Sequence, residues 1–107
     1  MSRWRAPRAK VDSFLGLSRR AGALVLGRTA CRRAVANGTC HLLVVAAGAG
    51  ASALIESGGG GRVPILESEL SKEELGQRLG RSSLAVLGMT DADLARGLLQ
   101  TAESLPE

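Results

Sequence analysis

Gly27 is followed by Arg28, Thr29, Arg32 and Arg33 in a stretch whose residue types suit the binding of an anion: Gly-Arg-Thr-Ala-Cys-Arg-Arg-Ala-Val-Ala-Asn-Gly. On a helix advancing about 100° per residue, Arg28, Thr29, Arg32, Arg33 and Ala36 fall in one arc. Ala30, Cys31, Ala34 and Val35 fall in the opposite arc. The apolar arc can pack on a sheet, and the cationic arc then faces solvent or a partner. Arg28 stands in the first turn, where the helix dipole disfavours cations. That placement suits a phosphate brought to the helix end, with Gly27 leaving backbone N–H groups exposed to it. Arginine can clamp a phosphate, and it can also contact guanine O6 and N7 with two donors.

Catalytic and metal chemistry have less to draw on. Cys31 and Cys40 form no CxxC pair. Cys31 lies on the apolar arc and Cys40 precedes an apolar run, so both read as buried thiols. His41 is the one histidine in the chain, which leaves a histidine-based zinc site short of ligands. Asp91 and Asp93 stand where a helix opens, and capping accounts for them. The four glycines at 58–61 lack the Lys-Ser/Thr ending of a nucleotide loop and read as a flexible connection. Without a catalytic constellation the chain reads as non-enzymatic, with no cofactor and no metal.

Composition narrows the partner. A chain of 107 residues with 45% apolar residues supports one compact core. Residues 1–62 carry ten Lys and Arg against two acids, and residues 63–107 carry four against eight. That asymmetry favours a polyanion on one face. With one Phe, one Trp and no Tyr, the chain lacks the stacking platforms of single-strand binders. A folded RNA, met through its backbone by arginine, fits better. No apolar run approaches the roughly 18–20 residues that span a bilayer, and no apolar signal region follows the basic N-terminus. A cytoplasmic location without membrane contact is expected.

The elements that must position these residues alternate along the chain. Residues 1–11 read as a basic, mobile lead, and residues 12–103 as a single domain. The first helix is expected over 13–21, capped by Asp12 or Ser13 and ended by Gly22. A short strand follows over 24–26, and then the arginine helix over 29–37. The uncharged run at 41–47 reads as a central strand buried on both faces. A small helix is expected over 49–56 and a strand over 63–66, with Pro64 at its start or on an edge. Ser71-Lys-Glu-Glu74 is a capping box opening a helix that ends near Gly80. A strand over 84–89 and a final helix from Asp91 to about Ala102 complete the order. The pattern implies a three-layer α/β/α sandwich around a four-stranded mixed sheet.

These pieces, in this order, resemble the bacterial YlxQ-like proteins of the L-seven-Ae/L-thirty-e ribosomal protein superfamily, which bind kink-turn RNA. The likeness spans about residues 15–99. It is carried by Leu15-Gly-Leu-Ser-Arg-Arg-Ala-Gly22, Gly27-Arg-Thr-Ala-Cys-Arg-Arg33, Leu42-Leu-Val-Val-Ala46, Ser71-Lys-Glu-Glu-Leu-Gly76 with Gly80, and Met89-Thr-Asp91 with Leu94-Ala95. The resemblance implies a ribonucleoprotein role in translation, with structured RNA, ribosomal RNA foremost, and ribosomal or translation proteins as partners of a monomer. It implies that Gly27, Arg28, Thr29, Arg32 and Arg33 enter the widened groove at an RNA kink. It further implies that Arg81, Ser82, Ser83 and Leu84 form the loop over a flipped-out base, and that Arg19 and Arg20 meet phosphates. The chain departs from the pattern at Thr29 and Ala30, where strong RNA binders of the superfamily carry an Asn-Glu pair. Backbone-dominated binding with strong salt dependence follows from that departure. Two other readings stand beside this one: a general RNA-backbone binder, and a protein-interaction module that docks a basic partner on Glu67, Glu69, Glu73 and Glu74.

Overall fold

Leu42, Leu43, Val44 and Val45 are all buried, because the strand they form, β3 (Leu42–Val45), lies inside the sheet with helices over both faces. The computed structural model describes residues 3–49 and 63–106. The helix expected over 49–56 and the glycine connection at 58–61 fall outside them, Ala49 apart. The other strands are β1 (Arg3–Arg5), β2 (Leu24–Leu26), β4 (Ile65–Glu67), β5 (Val86–Met89) and β6 (Glu103–Ser104). They order as β2-β5-β3-β4-β1-β6. β3 pairs parallel with β4 and antiparallel with β5, and β2 pairs antiparallel with β5. The sheet is mixed, as expected, but among the described residues it has six strands rather than four.

The two added strands lie together at one edge. β1 runs parallel to β4 with Trp4 opposite Leu66, and β6 runs antiparallel to β1 with Trp4 opposite Ser104. Within the lead expected over 1–11, residues 3–5 are thus sheet, and residues 8–11 open the first helix, α1 (Arg8–Arg20). Pro7 stands at the N-cap of α1, and its carbonyl accepts from the Lys10 and Val11 N–H groups. The helix begins five residues before the expected start because Val11 is buried on the same stripe as Leu15 and Ser18, a spacing of four and three residues. The other helices are α2 (Arg28–Ala36), α3 (Lys72–Arg78) and α4 (Ala92–Gln100).

Alternation along the strands builds two cores. Leu42, Val44, Leu66, Leu87 and Met89 meet Val11 and Leu15 of α1, Leu75 of α3, and Ala95 and Leu98 of α4. Leu43, Val45, Ile65 and Val86 meet Cys31, Ala34 and Val35 of α2 on the other face. Three layers result. Gly97 lets α4 approach α1, since a Cβ there would sit 2.7 Å from Phe14 Cε1. Gly88 of β5 leaves room for side chains on the α2 face of the sheet, since a Cβ there would lie 2.9 Å from Val25 Cγ2 and 3.0 Å from Cys40 Sγ.

Both cysteines are buried and free. Burial, helped by the nearby Cys40, pushes the Cys31 thiol up to about 12. Cys40 is raised by burial too, against the lowering effect of hydrogen bonds with the Leu42 and Met89 backbone. The reading of Cys31 and Cys40 as core thiols agrees with this.

Two outcomes follow. Replacing Gly88 with Ala forces Val25 and Cys40 apart and destabilises the fold by about 1–3 kcal/mol, measured as a lower urea midpoint at unchanged slope. A thiol whose pKa rises on folding holds more protons in the folded state than in the unfolded one above its ordinary value of 9.0. Stability is therefore complete below that pH and falls above it, by about 1.4 kcal/mol per unit for one such thiol. Urea melts from pH 8 to 10.5 will show a shallower alkaline loss in Cys31→Ala than in the wild type.

Candidate nucleic-acid interface

Gly27 ends β2 and caps α2 with φ +90°, a conformation that L side chains rarely adopt. Its N–H donates to the Val86 carbonyl at 3.0 Å, which fixes the start of α2 beside the start of β5. No side chain caps α2, and its first turn holds no acid. The positive end of the helix dipole therefore has no acidic side chain from its own first turn set against it.

Opposite α2 stands the segment between α3 and β5. Residue Gly80, with φ +74°, reverses the chain after α3. The Arg81 N–H returns to the Gly76 carbonyl at 2.8 Å and the Leu84 N–H to the Lys72 carbonyl at 2.9 Å. Gly76 itself is buried against this segment. A Cβ on Gly76 would lie 2.8 Å from the Arg81 carbonyl oxygen and from Ser83 Cα, and 2.9 Å from Ser83 N. Arg81 reaches across toward α2, its Nη1 lying 4.0 Å from where a Gly27 Cβ would stand.

Between the two sides lies an open cleft of about 540 Å³, lined by Gly27, Arg28, Thr29, Arg32, Lys72, Arg81, Ser83, Leu84, Ala85 and Val86. Among these described residues, four are cationic and none is acidic. Arg28, Thr29, Arg32, Lys72, Arg81 and Ser83 are exposed, while Leu84 and Val86 are buried at the floor. The cleft can therefore hold an anionic chain along a cationic rim, with an apolar floor that a flat, uncharged group could cover.

The structure brings together Gly27, Arg28, Thr29 and Arg32 with Arg81, Ser83 and Leu84, two groups separated by about half of the chain. It does not bring in the rest of the expected set. Arg33 is exposed but lies about 100° round the helix from Arg32 and does not line the cleft. Ser82 is exposed on the same segment without lining it. Arg20 extends back along α1, its Nη1 lying 3.8 Å from where a Gly16 Cβ would stand. Arg19 donates from Nη1 to the Arg78 carbonyl at 2.6 Å. It borders a smaller hollow of about 190 Å³ with Gly22, Leu24, Leu26 and Leu79.

Lys72 is a lining cation without a sequence signal of its own, brought to the cleft by the placement of α3. Gly76 carried a signal that went unused. A glycine inside a helix costs about 1 kcal/mol relative to alanine, which points to a close approach.

Much of the positive charge elsewhere is neutralised. Glu67 pairs with Arg3 and, at 3.9 Å, with Arg5. Glu74 pairs with Arg8, and Asp12 with Arg78. Two of the four acids that could have docked a basic partner stand differently in consequence. Glu67 and Glu74 are engaged in ion pairs, and Glu74 also closes the capping box with Ser71. Among the described residues, no helix is long and apolar enough to cross a membrane, and no group of three or more His, Cys, Asp or Glu is placed to share a metal ion.

No protein-family model matches the chain, and no curated protein matches it significantly. Solved structures do. A protein of unknown function from Bacillus halodurans superposes with a TM-score of 0.74 at 30% identity, over 87% of this chain and 96% of that one. The Giardia lamblia 15.5kD RNA binding protein superposes with a TM-score of 0.68 at 16% identity, over 86% of this chain and 83% of that one. The second likeness is one of fold. The first combines fold with sequence across nearly the whole of both chains, and this protein belongs to the family of the Bacillus halodurans protein.

Proposed function

We propose that this protein binds structured RNA without transforming it, that its preferred form is a duplex with a kink-turn-like bend, and that it works as a cytoplasmic accessory of the ribosome or of translation. The carrying observation is the convergence of Arg28, Arg32, Lys72 and Arg81 on the uncapped start of α2. The fold likeness to an RNA binding protein from Giardia supports the same reading, as does the sequence resemblance to kink-turn binders.

In this reading the phosphate backbone follows the cationic rim and the α2 N-terminus, and an unstacked base covers Leu84 and Val86 on the floor. Thr29 offers a hydroxyl to a base edge or sugar, whereas Ala30 offers none. Most of the affinity then comes from charge, and the shape of the cleft rather than base-edge hydrogen bonds selects the RNA.

The test is binding to a kink-turn RNA and to a matched plain duplex across a salt series. Four phosphate contacts give a log–log salt slope of about −3 to −4, and the kinked RNA binds tighter. Arg32→Ala weakens binding about tenfold and reduces the slope by about one. Arg33→Ala changes affinity far less, since Arg33 lies outside the cleft. Equal binding to both RNAs would reduce the function to general RNA-backbone binding, a reading that Ala30 favours. No binding to either would overturn the RNA reading.

A further inference from the structure

The 81–83 segment owes its position to one missing side chain. Its backbone touches α3 where a Cβ would have to be, with Arg81 O, Ser83 Cα and Ser83 N all within 2.9 Å of that point. Those neighbours are main-chain atoms, so an added methyl cannot be met by a rotamer change. The segment itself must move. It is tied to α3 at both ends, by the Arg81 N–H to the Gly76 carbonyl and by the Leu84 N–H to the Lys72 carbonyl, so the shift passes to the residues between and to the side chain of Arg81. A second tie comes from α1. The Arg19 guanidinium donates to the last carbonyl of α3, that of Arg78, and its Nη2 lies 3.9 Å from where a Gly80 Cβ would stand. Arg19 therefore braces the turn that launches the segment.

We infer that Gly76, with Arg19 as its brace, sets the width of the cleft between the start of α2 and the 81–84 segment, and through that width sets the discrimination of bent from straight RNA. Both act as positioning residues. Arg19 acts through the Arg78 carbonyl and is no phosphate contact of the cleft. The discrimination rests on the RNA reading above; the control of the cleft does not.

The experiment compares the wild type with Gly76→Ala, Arg19→Ala and Arg19→Gln. Amide spectra of the unbound proteins come first. Gly76→Ala will shift residues 81–84 and, across the cleft, Gly27 and Arg28; unmoved Gly27 and Arg28 amides in a folded variant overturn the control of the cleft. Binding to kink-turn RNA and to plain duplex follows. The preference of Gly76→Ala for the kinked RNA falls about tenfold while the salt slope on plain duplex stays unchanged, because no cation has been removed. The Arg19 variants move both readouts in the same direction by less. If Gly76→Ala does not fold, the two Arg19 variants decide, and unchanged amides at 80–84 overturn the inference. A wild type without preference for kinked RNA contradicts the proposed function and leaves the amide result to judge the cleft.

Discussion

The antiparallel pairing of β2 with β5 places the whole site. Leu26 at the end of one strand stands opposite Leu87 near the start of the other, so whatever follows β2 and whatever precedes β5 must share one end of the sheet. The sequel to β2 is α2 with its arginines; the prelude to β5 is the 81–84 segment. The Gly27 N–H to Val86 carbonyl bond fastens the two together, and residues far apart in sequence become the two walls of one cleft. A parallel arrangement of these strands would have sent the walls to opposite ends.

Charge follows the same division. Near the β1–β6 edge, Arg3 and Arg5 of β1 meet Glu67 of β4, and Arg8 and Arg78 stitch α1 to α3. Such partly exposed pairs add little stability each, but they cancel positive charge on that side. Among the described residues that line the cleft, toward the other edge of the sheet, four are cationic and none is acidic. The charge asymmetry seen along the sequence becomes an asymmetry in space, with Glu67 and Glu74 set against arginines that do not line the cleft.

How much of this could be read from the residues depends on the range of the interactions involved. β2 was found at its observed bounds, and the capping box of α3 is present as read, because local patterns determine both. The central strand proved shorter than the apolar run at 41–47, since pairing with β4 and β5 spans only its middle. β1 and β6 were not legible. Arg-Trp-Arg has no strand signature, and it pairs only because β4 and Glu67 are brought to it from the far half of the chain. In the site, the face of α2 was legible from its periodicity and Arg81 to Leu84 only through a resemblance. Lys72 depends on tertiary placement alone. Arg33 was grouped with Arg32 by a broad arc that the narrower cleft divides.

The central claim is that one face, where α2 starts against the 81–84 segment, receives RNA. Titrating the labelled protein with a kink-turn RNA and following its backbone amides tests it most directly. The account predicts perturbations concentrated at residues 27–32, 72 and 81–86, with Arg3, Arg5 and Arg8 unmoved. Perturbations centred on the β1–β6 edge, or on the exposed Glu69 and Glu73, would contradict it.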